Sequence, residues 1–157
     1  MCLWVLFFRH TTMDPDLYQI ASSGHNLLIL GQAGTGKSKF LLELKHLFEA
    51  RNKHVTVTAS TGMAAQQLGG TTLHRFSGIG DGRHPPDITV NKHLHSDDFC
   101  DTRSKIQNTD ILLLDEISMV SAYILSLVLK GVRSSNLPFG GIQVCTGVFI
   151  TRDKRTP

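Results

Sequence analysis

Apolar residues in this chain fall into short runs and into stripes at helical spacing, and the two patterns alternate along the sequence. From His25 to Leu30 the run HNLLIL is apolar without alternation and closes at Gly31, the pattern of a strand buried on both faces of a parallel sheet. Past Lys37, residues Phe40, Leu41, Leu44, Leu47 and Phe48 recur at three and four positions. This predicts a helix with Lys39, Glu43, Lys45 and Glu49 on its outer face, ending near Asn52. Val55-Thr56-Val57-Thr58 is β-branched throughout and reads as a second strand; a small-residue segment from Thr61 to Leu68 follows and halts at Gly69-Gly70. Ile111-Leu112-Leu113-Leu114 is the clearest strand and runs directly into Asp115-Glu116. Val120, Ile124, Leu127 and Val128 then predict another amphipathic helix before a loop at Asn136–Gly141. Residues 79–108 break the rhythm: Gly80, Gly82, Pro85-Pro86, three histidines and scattered charges predict a surface excursion with at most one short helix. Strands alternating with helices imply an α/β fold on a parallel sheet.

A chain of 157 residues holds one domain of ordinary size, which excludes a two-domain motor. With 41% hydrophobic and 18% charged residues it can bury a core and is not a highly charged disordered segment. The net charge of +3 is compatible with a polyanionic partner but too small to establish one. Cys2, Cys100 and Cys145 are odd in number and widely spaced, so neither a disulfide framework nor a thiolate zinc knuckle is indicated, and a reducing intracellular compartment is expected. The apolar start, Met1 to Phe8, is too short to span a bilayer and lacks a basic leader. It reads as a loose N-terminus, with a weak targeting signal as the alternative and no membrane partner expected. His93, His95 and Cys100 have irregular spacing and no fourth ligand, so they read as parts of a solvated loop.

The sharpest chemical signal is GQAGTGKS, the residues Gly31, Gln32, Ala33, Gly34, Thr35, Gly36, Lys37 and Ser38, which satisfies the G-x-x-x-x-G-K-[ST] phosphate-loop pattern between a strand and a helix. Glycines let consecutive backbone N–H groups turn inward around an anion while the following helix offers its positive end to the same phosphates. Lys37 is expected to reach the β- and γ-phosphates of ATP or GTP, and the Ser38 hydroxyl to serve Mg²⁺. Asp115, at the end of an apolar strand, sits where such loops find their metal-binding acid. Glu116 supplies a second carboxylate able to orient or deprotonate an attacking water, the chemistry of hydrolysis; a charged strand end is the plainer alternative.

These motifs, with Thr58–Ala65 (TASTGMAA), Gly69–Ile79 (GGTTLHRFSGI), LLLDEISMV and Asn136–Gln143 (NLPFGGIQ) in the same order, resemble the Pif (petite integration frequency) DNA helicases. Those are five-prime to three-prime motors of helicase superfamily one. The resemblance covers roughly His25 to Val144 and implies a RecA-like phosphate-loop NTPase domain, a parallel sheet flanked by helices and incomplete at the C-terminus. It divides the chain into an ill-defined segment 1–22, a partial motor domain 23–144 and an aberrant tail 145–157.

The resemblance further implies that Gly34, Gly36, Lys37 and Ser38 bind ATP, that Asp115 and Glu116 serve Mg²⁺ and water, and that Ser60, Thr61 and Gly62 approach single-stranded DNA. His74, Arg75 and Phe76 are near enough in sequence to add charge or base stacking. Thr61 reads equally as a helix cap, Phe76 as core and His74 as a hydrogen-bonded structural histidine. Gln19 is a candidate adenine reader, though it lies closer to Gly31 than the family places that glutamine. The implied biology is DNA repair, recombination and telomere maintenance in the nucleus, with the mitochondrion as the alternative.

The chain departs from the family after Val144, where Gly-Asp-Phe-x-Gln-Leu-Pro-Pro is expected. Here Gly147 and Phe149 match two letters, Val148 takes the acid's position, and no γ-phosphate-sensing glutamine follows. Without that sensor and a second motor domain the chain is expected to hydrolyse ATP slowly and not to unwind a duplex. A catalytically silent nucleotide- or DNA-binding module, and an unrelated phosphate-loop ATPase or kinase, are the rival readings.

Overall fold

The computed structural model describes residues 3–8, 15–80, 84–116 and 122–149. These form a six-stranded sheet, all of whose pairings are parallel. In chain order the strands are β1 (Leu3–Phe8), β2 (Asn26–Gly31), β3 (Val55–Ala59), β4 (Thr71–Thr72), β5 (Ile111–Asp115) and β6 (Gln143–Phe149). Across the sheet the order is β1-β2-β6-β5-β3-β4, so the last strand inserts between β2 and β5. Seven α-helices accompany them: α1 (Pro15–Ser22), α2 (Lys37–Glu49), α3 (Gly62–Gln67), α4 (Leu73–Ser77), α5 (Pro86–His95), α6 (Cys100–Asn108) and α7 (Ala122–Val132).

Helices cover both faces, as parallel strands require. On one face Leu17, Ala21, Phe40, Leu41, Leu44, Phe48, Ala65 and Leu68 pack on Leu27, Ile29, Val57, Leu113 and Cys145. On the other, Leu73, Phe76, Ile106, Leu125, Val128, Leu129 and Val132 pack on Leu112, Leu114 and Val144. The α/β architecture read from the sequence is therefore the observed one. Val120 lies outside the described residues, but Leu125, Val128 and Leu129 continue the expected stripe along α7. Among the described residues no helix is long and apolar enough to cross a membrane.

Three expectations need correction. The segment 1–22 is in part structured: Leu3–Phe8 pairs with β2, and α1 buries Leu17 and Ala21 against the core. Position 145 does not begin a tail, because β6 continues through Phe149, paired with both β2 and β5 as far as Gly147 and with β2 beyond it. The third concerns residues 79–108, which hold two helices and a 3-10 turn (Asp97–Phe99) instead of an excursion with at most one helix. Pro86 starts α5 at a position where a missing N–H costs nothing. The buried positions of the two helices are Thr89, His93 and Ile106, only one of them apolar, so no apolar period announced the helices.

His93 is a core residue, not part of a solvated loop. Its Nε2 lies 2.9 Å from the Ser77 carbonyl, which fixes the tautomer donating there, and its ring meets Phe99 edge-on at 4.8 Å. Arg103 Nη1 donates to the His93 and Leu94 carbonyls at 3.1 and 2.9 Å, closing the end of α5. Burial pushes the imidazole below its ordinary value of 6.5; the Ser77 bond opposes the shift and the Arg103 charge adds to it.

Arg133 closes a second junction. Its Nη1 donates to the carbonyls of Ile106, Gln107 and Thr109 at 2.9, 2.9 and 2.8 Å, the orphan acceptors at the end of α6. Its Nε donates to Gly140 at 2.9 Å, tying the 3-10 turn Pro138–Gly141 to the same point.

Two outcomes are expected from these junctions. Below pH 6.5 the unfolded chain protonates His93 before the folded one does, so stability should fall as pH drops toward the lowered folded value. Urea midpoints measured across that range should show a flatter slope in His93→Gln. Arg133→Ala should cost about 2 kcal/mol in the same assay, because partly buried carbonyls lose a charged donor.

Candidate nucleotide-binding site

β2 delivers Gly31 to the carboxyl edge of the sheet, and the chain turns through Gln32, Ala33, Gly34, Thr35 and Gly36 into α2. Gly34 and Gly36 have φ of 76° and 92°, left-handed conformations that residues with a Cβ resist. Gly36 is the N-cap of α2 and brings no side-chain cap, and no acidic residue stands in the helix's first turn. The first N–H groups of a 13-residue helix are thus left for an external anion. Thr35 folds the loop on itself, its Oγ1 donating to the Gln32 carbonyl at 2.8 Å.

Lys37 lies beneath this loop, only 3% exposed. Its Nζ donates to the Gly31 and Gln32 carbonyls at 2.8 and 2.6 Å and reaches Thr35 Oγ1 at 3.4 Å. Burial lowers its pKa from the ordinary lysine value, while the Asp115 carboxylate works in the opposite direction. A cation held by carbonyls at the loop's base is poised to exchange them for phosphate oxygens.

Ser38, one residue on, donates from Oγ to Asp115 Oδ2 at 2.8 Å. Asp115 ends β5 and is 8% exposed, and its second oxygen, Oδ1, is buried without a hydrogen-bond partner. The two motifs are therefore joined across β6, whose Gly147 is in register with Ile29 on one side and Asp115 on the other. Glu116 leaves the strand at φ 60°, its N–H donating to the Gly147 carbonyl at 3.0 Å. That left-handed step turns Glu116 away from the direction β5 was taking.

The residues expected to approach DNA divide. Ser60 and Thr61 follow β3 at the same sheet edge, with the Ser60 N–H donating to the Asp115 carbonyl at 3.3 Å. Thr61 caps α3, accepting from the Ala64 N–H at 3.3 Å, yet it and Gly62 remain exposed. His74 is half-buried and Arg75 exposed. Phe76, at 2% exposure, is a core residue of the second cluster, and stacking on a base would require it to leave that core. The helical period explains the split, since three consecutive residues of α4 cannot share one face. Met63, beside Thr61 and Gly62, is 76% exposed, an apolar side chain at the start of a small polar helix.

Gln19 is exposed on α1 and lines a groove with Asp16, Ile20, Ser23 and His25, away from the phosphate loop. Two clefts of about 380 and 360 Å³ open at the amino edge of the sheet, one beside His54 and Lys105 and the other beside Arg51 and Lys53. Neither contains a residue of the phosphate loop or of the Asp115-Glu116 pair. Among the described residues no group of three or more His, Cys, Asp or Glu side chains stands together as a metal cage.

A family model described as PIF1-like helicase matches residues 17–150. The chain is similar to the ATP-dependent DNA helicase PIF1 of Saccharomyces cerevisiae, 39% identical in an alignment that covers 92% of this chain and 18% of that protein. It is also similar to the ATP-dependent DNA helicase PIF1 of Candida albicans, 42% identical over 78% of this chain and 14% of that protein. Among solved structures, the Pif1 helicase from Candida albicans superposes with a TM-score of 0.76 at 35% identity, covering 87% of this chain and 32% of that one. The Bacteroides Pif1 helicase in complex with ADP-AlF3 and ssDNA gives 0.68 at 30% identity, covering 91% and 35%. The chain thus spans under a fifth of these curated relatives' length.

Burial separates the neighbours on α4 in a measurable way. Phe76→Ala should lower unfolding free energy by about 3–5 kcal/mol, whereas Arg75→Ala should stay within about 0.5 kcal/mol of the parent in urea titrations.

Proposed function

Because the chain belongs to the PIF1-like helicase family, we propose that it binds and hydrolyses ATP as part of the first motor domain of an ATP-dependent DNA helicase. The observation that carries this reading is the Ser38–Asp115 bond beside the buried Lys37, which brings phosphate loop and acid into one site. The triphosphate would lie on the backbone of Gly31–Ser38 with the uncapped start of α2 behind it. Lys37 would leave the Gly31 and Gln32 carbonyls for the β- and γ-phosphates, gaining full charges in place of dipoles.

The donor set suits Mg²⁺: the Ser38 hydroxyl and the Asp115 carboxylate are hard oxygens, and Asp115 Oδ1 is a buried acceptor with no partner. When bound, Mg²⁺ supplies charge neutralisation of the β- and γ-phosphates. Glu116, half-exposed and turned out of β5, would orient the attacking water and take its proton. Ser60, Thr61, Gly62, His74 and Arg75 would meet the backbone of single-stranded DNA at the sheet's carboxyl edge, by hydroxyls, backbone N–H groups and charge. Five-prime to three-prime unwinding, roles in repair, recombination and telomere maintenance, and a nuclear location with the mitochondrion as alternative extend this reading to the whole protein.

A second reading, a nucleotide- or DNA-binding module without turnover, is favoured by Val148, a residue without acid or hydrogen-bonding chemistry on the strand between the two motifs. Steady-state ATP hydrolysis and equilibrium binding of a fluorescent ATP analogue separate the two. Lys37→Ala should weaken nucleotide binding at least about tenfold. Glu116→Gln should preserve binding while cutting turnover about 10²-fold or more. Unaltered turnover in Glu116→Gln would exclude its assigned role, and binding with no turnover in the parent chain would select the silent module.

A further inference from the structure

β6 passes between the strand that carries the phosphate loop and the strand that carries the acids, and the residue at the crossing is Gly147. Its φ is not among the left-handed values, so the strand backbone itself does not call for glycine. A glycine inside a strand weakens it and packs nothing, which leaves the space in front of the Cα as its consequence. That space is defined: a Cβ at position 147 would stand 3.4 Å from Asp115 Oδ1, 3.6 Å from Lys37 Cβ and 3.7 Å from Leu41 Cδ1. Oδ1 is also the carboxylate oxygen that is buried and unpartnered. Behind the same residue, the Gly147 carbonyl accepts the Glu116 N–H at 3.0 Å where Glu116 takes its left-handed turn.

We propose that Gly147 is a positioning residue of the nucleotide site, its missing side chain keeping open the space that a divalent cation needs beside Asp115 Oδ1. The inference rests on the ATP reading above. A buried carboxylate oxygen without a partner is costly, and a side chain at position 147 would cover it with carbon, whereas an open approach lets a cation satisfy it. Alanine would fit as ordinary contact and hinder that approach in part; valine, with two further carbons in the same space, would close it. Both residues suit a strand better than glycine, so stability and cation use should move in different directions.

The experiment measures binding of a fluorescent ATP analogue to the purified chain in Mg²⁺ and in EDTA, for the parent, Gly147→Ala and Gly147→Val, with thermal midpoints in parallel. Coupling between two ligands is ordinarily about 5–150-fold, and the parent should show Mg²⁺ tightening nucleotide binding at least about tenfold. Gly147→Ala should retain a few-fold enhancement and Gly147→Val none, with EDTA affinities unchanged and the Ala midpoint no lower than the parent's. A Val variant that keeps the parent's Mg²⁺ enhancement overturns the proposal. Equal losses in EDTA and in Mg²⁺ also overturn it, because they place Gly147 under the phosphate loop and not at the cation. If Val fails to fold, the Ala variant decides alone, and full enhancement in it is the overturning result. A parent that binds the analogue under neither condition refutes the ATP reading itself, a result distinct from failure of the Gly147 assignment.

Discussion

Insertion of β6 between β2 and β5 is the constraint on which this site depends. Parallel strands present their carboxyl ends along one edge, so a loop after β2 and an acid ending β5 share that edge, separated by one strand. With β6 between them, β2 and β5 stand two interstrand spacings of about 4.8 Å apart. Ser38, at the start of α2, bridges that gap to Asp115 at 2.8 Å. The phosphate loop and the acids are thus partners through a third strand that contributes no side chain.

β6 is held in place from its other end. Gln143 Nε2 donates to the carbonyls of Ala21 and His25 at 2.8 and 2.7 Å, and Asn26 Oδ1 accepts the Val144 N–H at 2.8 Å. These buried amides bind the entry of β6 to the end of α1 and the start of β2, and a slip of one residue would forfeit all three bonds. Arg133 anchors the turn just upstream through Gly140. Register set at the amino edge carries Gly147 to its position beside Asp115 at the carboxyl edge.

Charge placement follows the same logic. Lys37 is buried by α2 and the loop above it, and its ammonium is satisfied by carbonyl dipoles and further stabilised by the Asp115 carboxylate nearby. Burying a cation is tolerable only with such partners, and partners that are neutral dipoles can be exchanged for a phosphate. Asp115 is the complementary case, with one oxygen bonded to Ser38 and the other open beside Gly147. The exchangeable dipoles on Lys37 and the open oxygen of Asp115 are where a nucleotide and its cation would act.

The α/β order, strands β2, β3 and β5, helices α2 and α7, the loop Gly31–Ser38 and the Asp115-Glu116 pair were legible because each rests on local information: apolar period, glycine placement, or an acid closing an apolar run. Helices α5 and α6 were not, because α5 buries Thr89 and His93, the histidine made tolerable by the Ser77 carbonyl sixteen residues away, and α6 buries Ile106 alone. Phe76 and Arg75 look alike as DNA candidates in the sequence, and only packing against β5 and α7 turned one inward and left the other in solvent. Sequence by itself determined which chemical groups the chain carries and which elements present them. The tertiary structure decided that β6 stands between them and that Gly147 occupies the crossing, because strand order and register are set by contacts between residues over a hundred positions apart.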